Sequence, residues 1–394
     1  MNRLIIIGNG FDIAHKLKTK YSDFIDQYWQ SVLNTEHDDA FLSFGDAGYD
    51  LKDCKKLRDV IEYLNSKGMN LSKRTHSPDY FHNNKSIIKI HNEFFCRINE
   101  RYDDANWVDI EMEYYTSLKR ILSRQQNTSD NDIFEAESLS QIRKLNNDIA
   151  EIAKQFESYL VSNVVPYIDE KYNSSVKEVF ENYDLSDYEL ERFFDEFPRK
   201  FADKILKPLF QAKQDGKVAI KKFEDTYVLN FNYTKTVAQY LEQTATIINI
   251  HGELRNFKNA INLGFGDERD KFYSEIEDYN QNEYLRFMKS FYYTKNNNYK
   301  KLFDFIEDTD FQVQIMGHSC GLSDRTLLNA IFEHPNCKSI KVFYHQYDSE
   351  NDIGEMDNHS EVVRNISRHF TQKTNMRDKI VNRVRCRELP QNRR

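Results

Sequence analysis

The segment Leu4-Ile5-Ile6-Ile7-Gly8-Asn9-Gly10-Phe11-Asp12 opens a chain of 394 residues by joining four aliphatic residues to a turn with two glycines. An unbroken aliphatic run suits a strand buried on both faces of a parallel sheet. Gly8 and Gly10 allow a tight turn or close approach to a ligand, and a helix starting there offers N–H groups and a positive dipole to an anion. They fill the first two positions of G-x-G-x-x-G, but Ile13 stands in the third, and no acidic residue closing a second strand follows about 20 residues on. A hydride-transfer dehydrogenase is therefore disfavoured. Read structurally, the segment is a strand-to-helix turn with Asp12 as an early-helix acid or cap.

Further short runs at residues 227–231, 247–250, 260–265, 311–316 and 340–344 are rich in Ile, Val, Tyr and Phe and predict more strands of the same sheet. Only 12 glycines occur, and Gly8, Gly10, Gly252, Gly264, Gly266, Gly317 and Gly321 follow these runs. Between residues 21 and 222 helical spacing dominates, as in Ile149, Ile152, Ala153, Phe156, Tyr159, Leu160 and Val164. The pattern predicts an α/β fold with a Rossmann-like three-layer core and a mainly parallel sheet, built from residues 1–20 and 217–375. Residues 21–216 form a large helical insertion and 376–394 a basic tail. In such a sheet, function belongs at the carboxyl ends of the strands.

An aromatic content of 14% excludes a disordered chain, and a net charge of −8 argues against a protein that coats nucleic acid. The tail, with seven Arg and Lys against two acids, is where a nucleic-acid contact would have to lie; the simpler reading is a solvated basic tail. No apolar run reaches the roughly 18–20 residues of a membrane span, and the one at 4–7 is too short for a secretory signal, so the expectation is a cytoplasmic protein without membrane contact. Five scattered cysteines without C-x-x-C suggest neither a disulfide framework nor a zinc ribbon.

Three later segments end strands with chemistry-bearing residues. Residues 228–234 end in Asn230, Asn232 and Thr234, and residues 247–253 contain His251, whose ordinary pKa of about 6.5 makes it the best single base candidate. Gly317-His318-Ser319-Cys320-Gly321 precedes a helix start at Asp324 and satisfies G-x-S-x-G. With Asp348 and His359 or His369 after it, Ser319 has the triad order of a serine hydrolase, one alternative reading. In the insertion, Trp107 and Glu111 share a helix face while Asp109 points elsewhere, a pattern read as helix packing with surface carboxylates. Phe193, Phe194, Phe197 and Phe201, like Tyr292 and Tyr293, read as core or oligomer contacts.

Taken in order, IGNGFD, WVDIE, LNFNYT, NIHGEL and MGHSCGLSD resemble the AbiH family of bacterial abortive-infection proteins, over residues 4 to about 348, and this resemblance alone keeps Trp107, Asp109 and Glu111 as candidate site-lining residues. The series is also similar, more distantly, to the sirtuin-like NAD-binding fold. That likeness implies that Gly8 and Gly10 approach the NAD pyrophosphate and that Asn232 holds the nicotinamide ribose or a water. His251 would act as base on a ribose hydroxyl or water, Gly317 and Ser319 would border the adenosine half, and Asn9, Phe11, Asp12, His318 and Asp324 would complete the cofactor site. Asp12 stands where sirtuins have serine, Thr234 where they have aspartate and His318 where they have threonine. The sirtuin zinc module is missing, replaced by a Tyr-rich helical hairpin at about 272–307, which disfavours peptide deacylation and calls for no metal. The resemblance implies an antiphage effector that hydrolyses the nicotinamide–ribose bond of NAD, its substrate. The competing reading is a nucleotide or nucleic-acid binding module or nuclease. A phage-derived trigger, a partner defence protein and homo-oligomers are the partners it implies.

Overall fold

The computed structural model describes residues 1–32, 38–45, 51, 53–74, 77–105, 109–125, 131–181, 187–204, 222–241, 245–347 and 355–392. After β1 (Asn2–Ile7) come β2 (Leu42–Phe44), β3 (Ser72–Lys73), β4 (Tyr80–His82) and β5 (Lys85–Ile90). Then follow β6 (Thr226–Asn230), β7 (Thr246–Asn249), β8 (Phe311–Met316), β9 (Cys337–Tyr344) and β10 (Arg387–Glu388). The main sheet is parallel throughout, in the order β10-β9-β8-β1-β6-β7.

The aliphatic run at 4–7 explains why β1 lies at the centre. Leu4 and Ile6 face one layer with Leu229, Val313, Ile315 and Val342, covered by residues such as Leu302, Leu328 and Ile366 from three helices. Ile5 and Ile7 face the other, with Val228 and Met316 under Phe11, Val176, Phe180 and Tyr240. The chain leaves β1, returns as β6 and β7 on one side, and then crosses to β8 on the other. Such a reversal of strand order opens a crevice at the carboxyl ends, beside β1.

Five of the six predicted strands occur. The run at 260–265 does not form one: it makes a single bridge, Phe265 to Met288, and Gly264 is pressed against the Phe287 carbonyl. The insertion is helical over much of its length, including Asn131–Asn163, but also holds an antiparallel sheet ordered β2-β5-β4-β3. Its central hairpin turns through Asn83 and Asn84, both left-handed at φ 46° and 65°, which is the chemistry of a two-residue hairpin loop. The basic tail is folded rather than merely solvated: β10 extends the sheet beside β9, Arg383 pairs with Asp357 at 2.6 Å, and the Asn392 side chain donates to the Lys171 carbonyl. Among the described residues, no helix is long and apolar enough to cross a membrane.

Candidate functional site

The first turn of the site is held by the second. Gly8 caps the helix Asn9–Ala14 in extended conformation; its N–H donates to the Met316 carbonyl, and the Gly10 N–H to the Gly317 carbonyl at 2.8 Å. The Phe11 N–H donates to the Gly8 carbonyl. These are donors that the sequence left free for an anion; the neighbouring backbone takes them instead. A Cβ on Gly10 would lie 2.8 Å from Gly317 O and 2.9 Å from its Cα, with Gly317 itself left-handed at φ +72°. Gly10→Val is therefore expected to cost about 1–3 kcal/mol through overpacking. Urea denaturation checks this, and unchanged stability would mean that the two turns separate at little cost.

Above these turns lies a cavity of about 290 Å³ at the carboxyl ends of β1 and β6. The core contributes Asn9, Asp12, Asn232 and Thr234 to its wall; the insertion contributes Tyr21, Asp109 and Glu111. Asn232 donates from its amide to the Gly8 carbonyl at 3.1 Å, tying β6 to the β1 turn, and Asn9 is braced by the Thr19 hydroxyl. Asp12, from the first helical turn, accepts from Thr234 Oγ1 at 2.6 Å through Oδ2, while its Oδ1 is buried without a partner.

Burial pushes the Asp12 carboxyl up to about 6, against the opposing hydrogen bond from Thr234. The folded protein then holds this proton more tightly than the unfolded chain, so stability falls as pH rises from 3.8 towards about 6. Asp12→Asn removes that charge and is expected to be more stable than the parent above pH 6, by on the order of 2–3 kcal/mol. Denaturation at acid and at mildly alkaline pH measures it; an unchanged pH slope would show that Asp12 is effectively solvated.

Behind the cavity runs a buried chain of charge. Lys289 Nζ, fully enclosed, lies 2.8 Å from both Glu111 Oε2 and Asp324 Oδ1. His251 Nε2 is 2.9 Å from Asp324 Oδ1, yet too poorly aligned for a hydrogen bond. His318 Nε2 stands 3.6 Å from Asp324 Oδ2, while its Nδ1 accepts from the Cys320 N–H. Burial would raise Asp324, but Lys289 and His251 overcome it and hold the carboxyl well below its usual range. Burial wins at Glu111, which rises to about 7 despite Lys289. Burial, with Lys289 adding to it, lowers His251 to about 4, so its ring is neutral near pH 7.

Asn9, Asp12 and Asn232 thus converge on one cavity, with Gly8, Gly10 and Gly317 in the turns beneath them. His251, His318 and Asp324 lie outside its lining, and Phe11 packs into the core against His15 and Tyr240. Ser319 is exposed and its hydroxyl makes no hydrogen bond among the described residues; the left-handed residues of that turn are Gly317 and Cys320, and the Cys320 carbonyl faces His369 Nε2 at 2.8 Å. Trp107 and Asp348 lie outside the described residues. Glu111 and Asp109 are not surface carboxylates. The helix Ile110–Gln125 begins after Asp109, which accepts the Met112 N–H, so both acids reach the cavity. Sequence reasoning missed Lys289 and Tyr21. A charge set in the apolar stretch Phe287-Met288-Lys289-Ser290-Phe291 was the available signal for Lys289.

A comparison with curated proteins gives no match. Residues 4–346 match the family model described as bacteriophage abortive infection AbiH, a span that takes in both turns, the insertion and every residue of the cavity wall. The chain therefore belongs to the AbiH family.

Proposed function

We propose that this chain acts in phage abortive infection, as its family suggests, by hydrolysing the nicotinamide–ribose bond of NAD in a sirtuin-like site. The observation that carries the reading is the unpartnered, buried Oδ1 of Asp12 in a cavity also lined by Asp109, Glu111 and Asn232. Carboxylates lining a cavity suit a sugar on which positive charge develops, and an open acceptor suits a ribose hydroxyl. The C1′–N bond breaks with its electron pair going to nicotinamide, which leaves neutral and needs no acid. Water adds to C1′ and its proton passes to a carboxylate and then to solvent, giving ADP-ribose and nicotinamide.

Glu111 is the base in this scheme, because a carboxylate near pKa 7 both accepts and releases a proton at neutral pH. Asp12 holds a ribose hydroxyl, and Asn232 orients the ribose or the water. His251 acts one layer back, as a neutral ring against Asp324, and so positions the Lys289–Glu111 pair. The cytoplasmic NAD pool is the proposed place of action. Incubating the purified protein with NAD, alone and in lysate of phage-infected cells, tests the reading. Release of nicotinamide in either condition, rising with pH through about 7, is the expected result. No release in both would overturn it.

A further inference from the structure

A second cavity, of about 350 Å³, shares no lining residue with the first. It lies over the sheet face that carries Ile5 and Ile7, where β1, β8 and β9 break the rule that a covered parallel sheet is aliphatic on both sides. Arg3 sits beside Gln312 in register, Gln312 beside Ser339, and Gln314 beside Lys341, and all five are buried. Most of this stripe is satisfied internally. Gln312 Nε2 donates to Glu196 and to Ser339 Oγ, Gln314 Nε2 donates to Gln312 Oε1, and Lys341 pairs with Glu196.

Two groups are not. Gln314 Oε1 is buried with no partner. Arg3, 4% exposed, donates to the Phe180 carbonyl and to Thr226 Oγ1 and lies over the Phe223 ring, but has no carboxylate within ion-pair distance among the described residues. Burial lowers this guanidinium to about 10, as befits a cation enclosed without a counter-ion. Such breaks in local rules concentrate at functional sites. The same cavity is lined by Arg192, Lys222, Arg385 and Arg387, together with Arg3 and Lys341 and the acids Glu178, Glu181 and Glu196; Arg385 is paired with Asp195 beside it. Phe193, Phe223 and Phe343 also line it, all three buried, with the Arg3 guanidinium over the Phe223 ring.

We infer that this cavity is a second ligand site, for a nucleoside phosphate: cations for the phosphates, and the buried, unpartnered Gln314 carbonyl for a base or sugar donor. Its chemistry is opposite to that of the acid-lined cavity, so the two sites are separable by charge. ATP is the probe, titrated calorimetrically into the full chain at low salt. Arg387→Glu changes an exposed edge-strand residue and is expected to weaken ATP binding by about tenfold or more, whereas Glu111→Gln should leave it unchanged. ATP should also bind more tightly than inorganic triphosphate, because a nucleoside donor to the Gln314 carbonyl adds to the phosphate contacts. No binding of ATP, binding lost in Glu111→Gln but kept in Arg387→Glu, or equal affinity for inorganic triphosphate would each overturn the inference. Because ATP carries no nicotinamide, none of these outcomes depends on whether NAD is cleaved.

Discussion

Replacing Glu111 with glutamine is expected to slow nicotinamide release from NAD by about 100-fold or more, the usual weight of a positioned general base. Glutamine keeps the length of the side chain and can still accept from Lys289, so the protein should fold and bind NAD within about tenfold of the parent, a loss of at most one hydrogen bond. The pH profile adds a second mark. Burial places Glu111 at about 7, and a base works only when ionised, so the parent rate should climb through that pH while the residual rate of the variant should not. Equal losses in affinity and rate would assign Glu111 to uniform binding, and the base would have to be Asp12 or Asp109.

Lys289→Met should produce the largest loss of stability, about 3–5 kcal/mol, because it leaves Asp324 and Glu111 buried without the cation that both share. Methionine fills much of the same volume, so the loss reports charge rather than packing. Adding Glu111→Gln to Lys289→Met should recover part of it, since one of the two abandoned charges is then gone; a double-mutant cycle in urea reads this coupling. A loss below about 1 kcal/mol, the range of exposed ion pairs, would show that water reaches Lys289.

The order of chemistry-bearing strands was legible because each announces itself locally. A short β-branched run followed by Gly8, Asn230, His251 or Gly317 needs no partner to be recognised, and these residues all end at one edge of the sheet. What stayed hidden depends on distance. Glu111 reads as a surface acid until Lys289, far along the chain, is brought 2.8 Å from it. The small antiparallel sheet escaped because β5 has only three apolar residues, Ile87 on one face and Ile88 and Ile90 on the other, too few to stand out beside long helices, although Asn83-Asn84 marked its turn. The edge strand β10 is two residues long, one basic and one acidic, so pattern reading has nothing to hold. Glycine was the reverse case: Gly10 was visible, but whether its bare Cα faces a ligand or another turn could only come from the position of Gly317.

The central place of β1 sets when the proposed site can first exist during synthesis. Its backbone pairs with β6 and β8 on its two sides, so the first strand synthesised waits for both before its ladders close. Contacts so remote in sequence fold slowly, and the wall of the acid-lined cavity cannot assemble on a nascent chain that has not yet produced Asn232, Thr234, Leu263 and Ser323. A ribosome stalled in the insertion releases a fragment without a site. Synthesis itself thereby delays the cavity until most of the chain has been made.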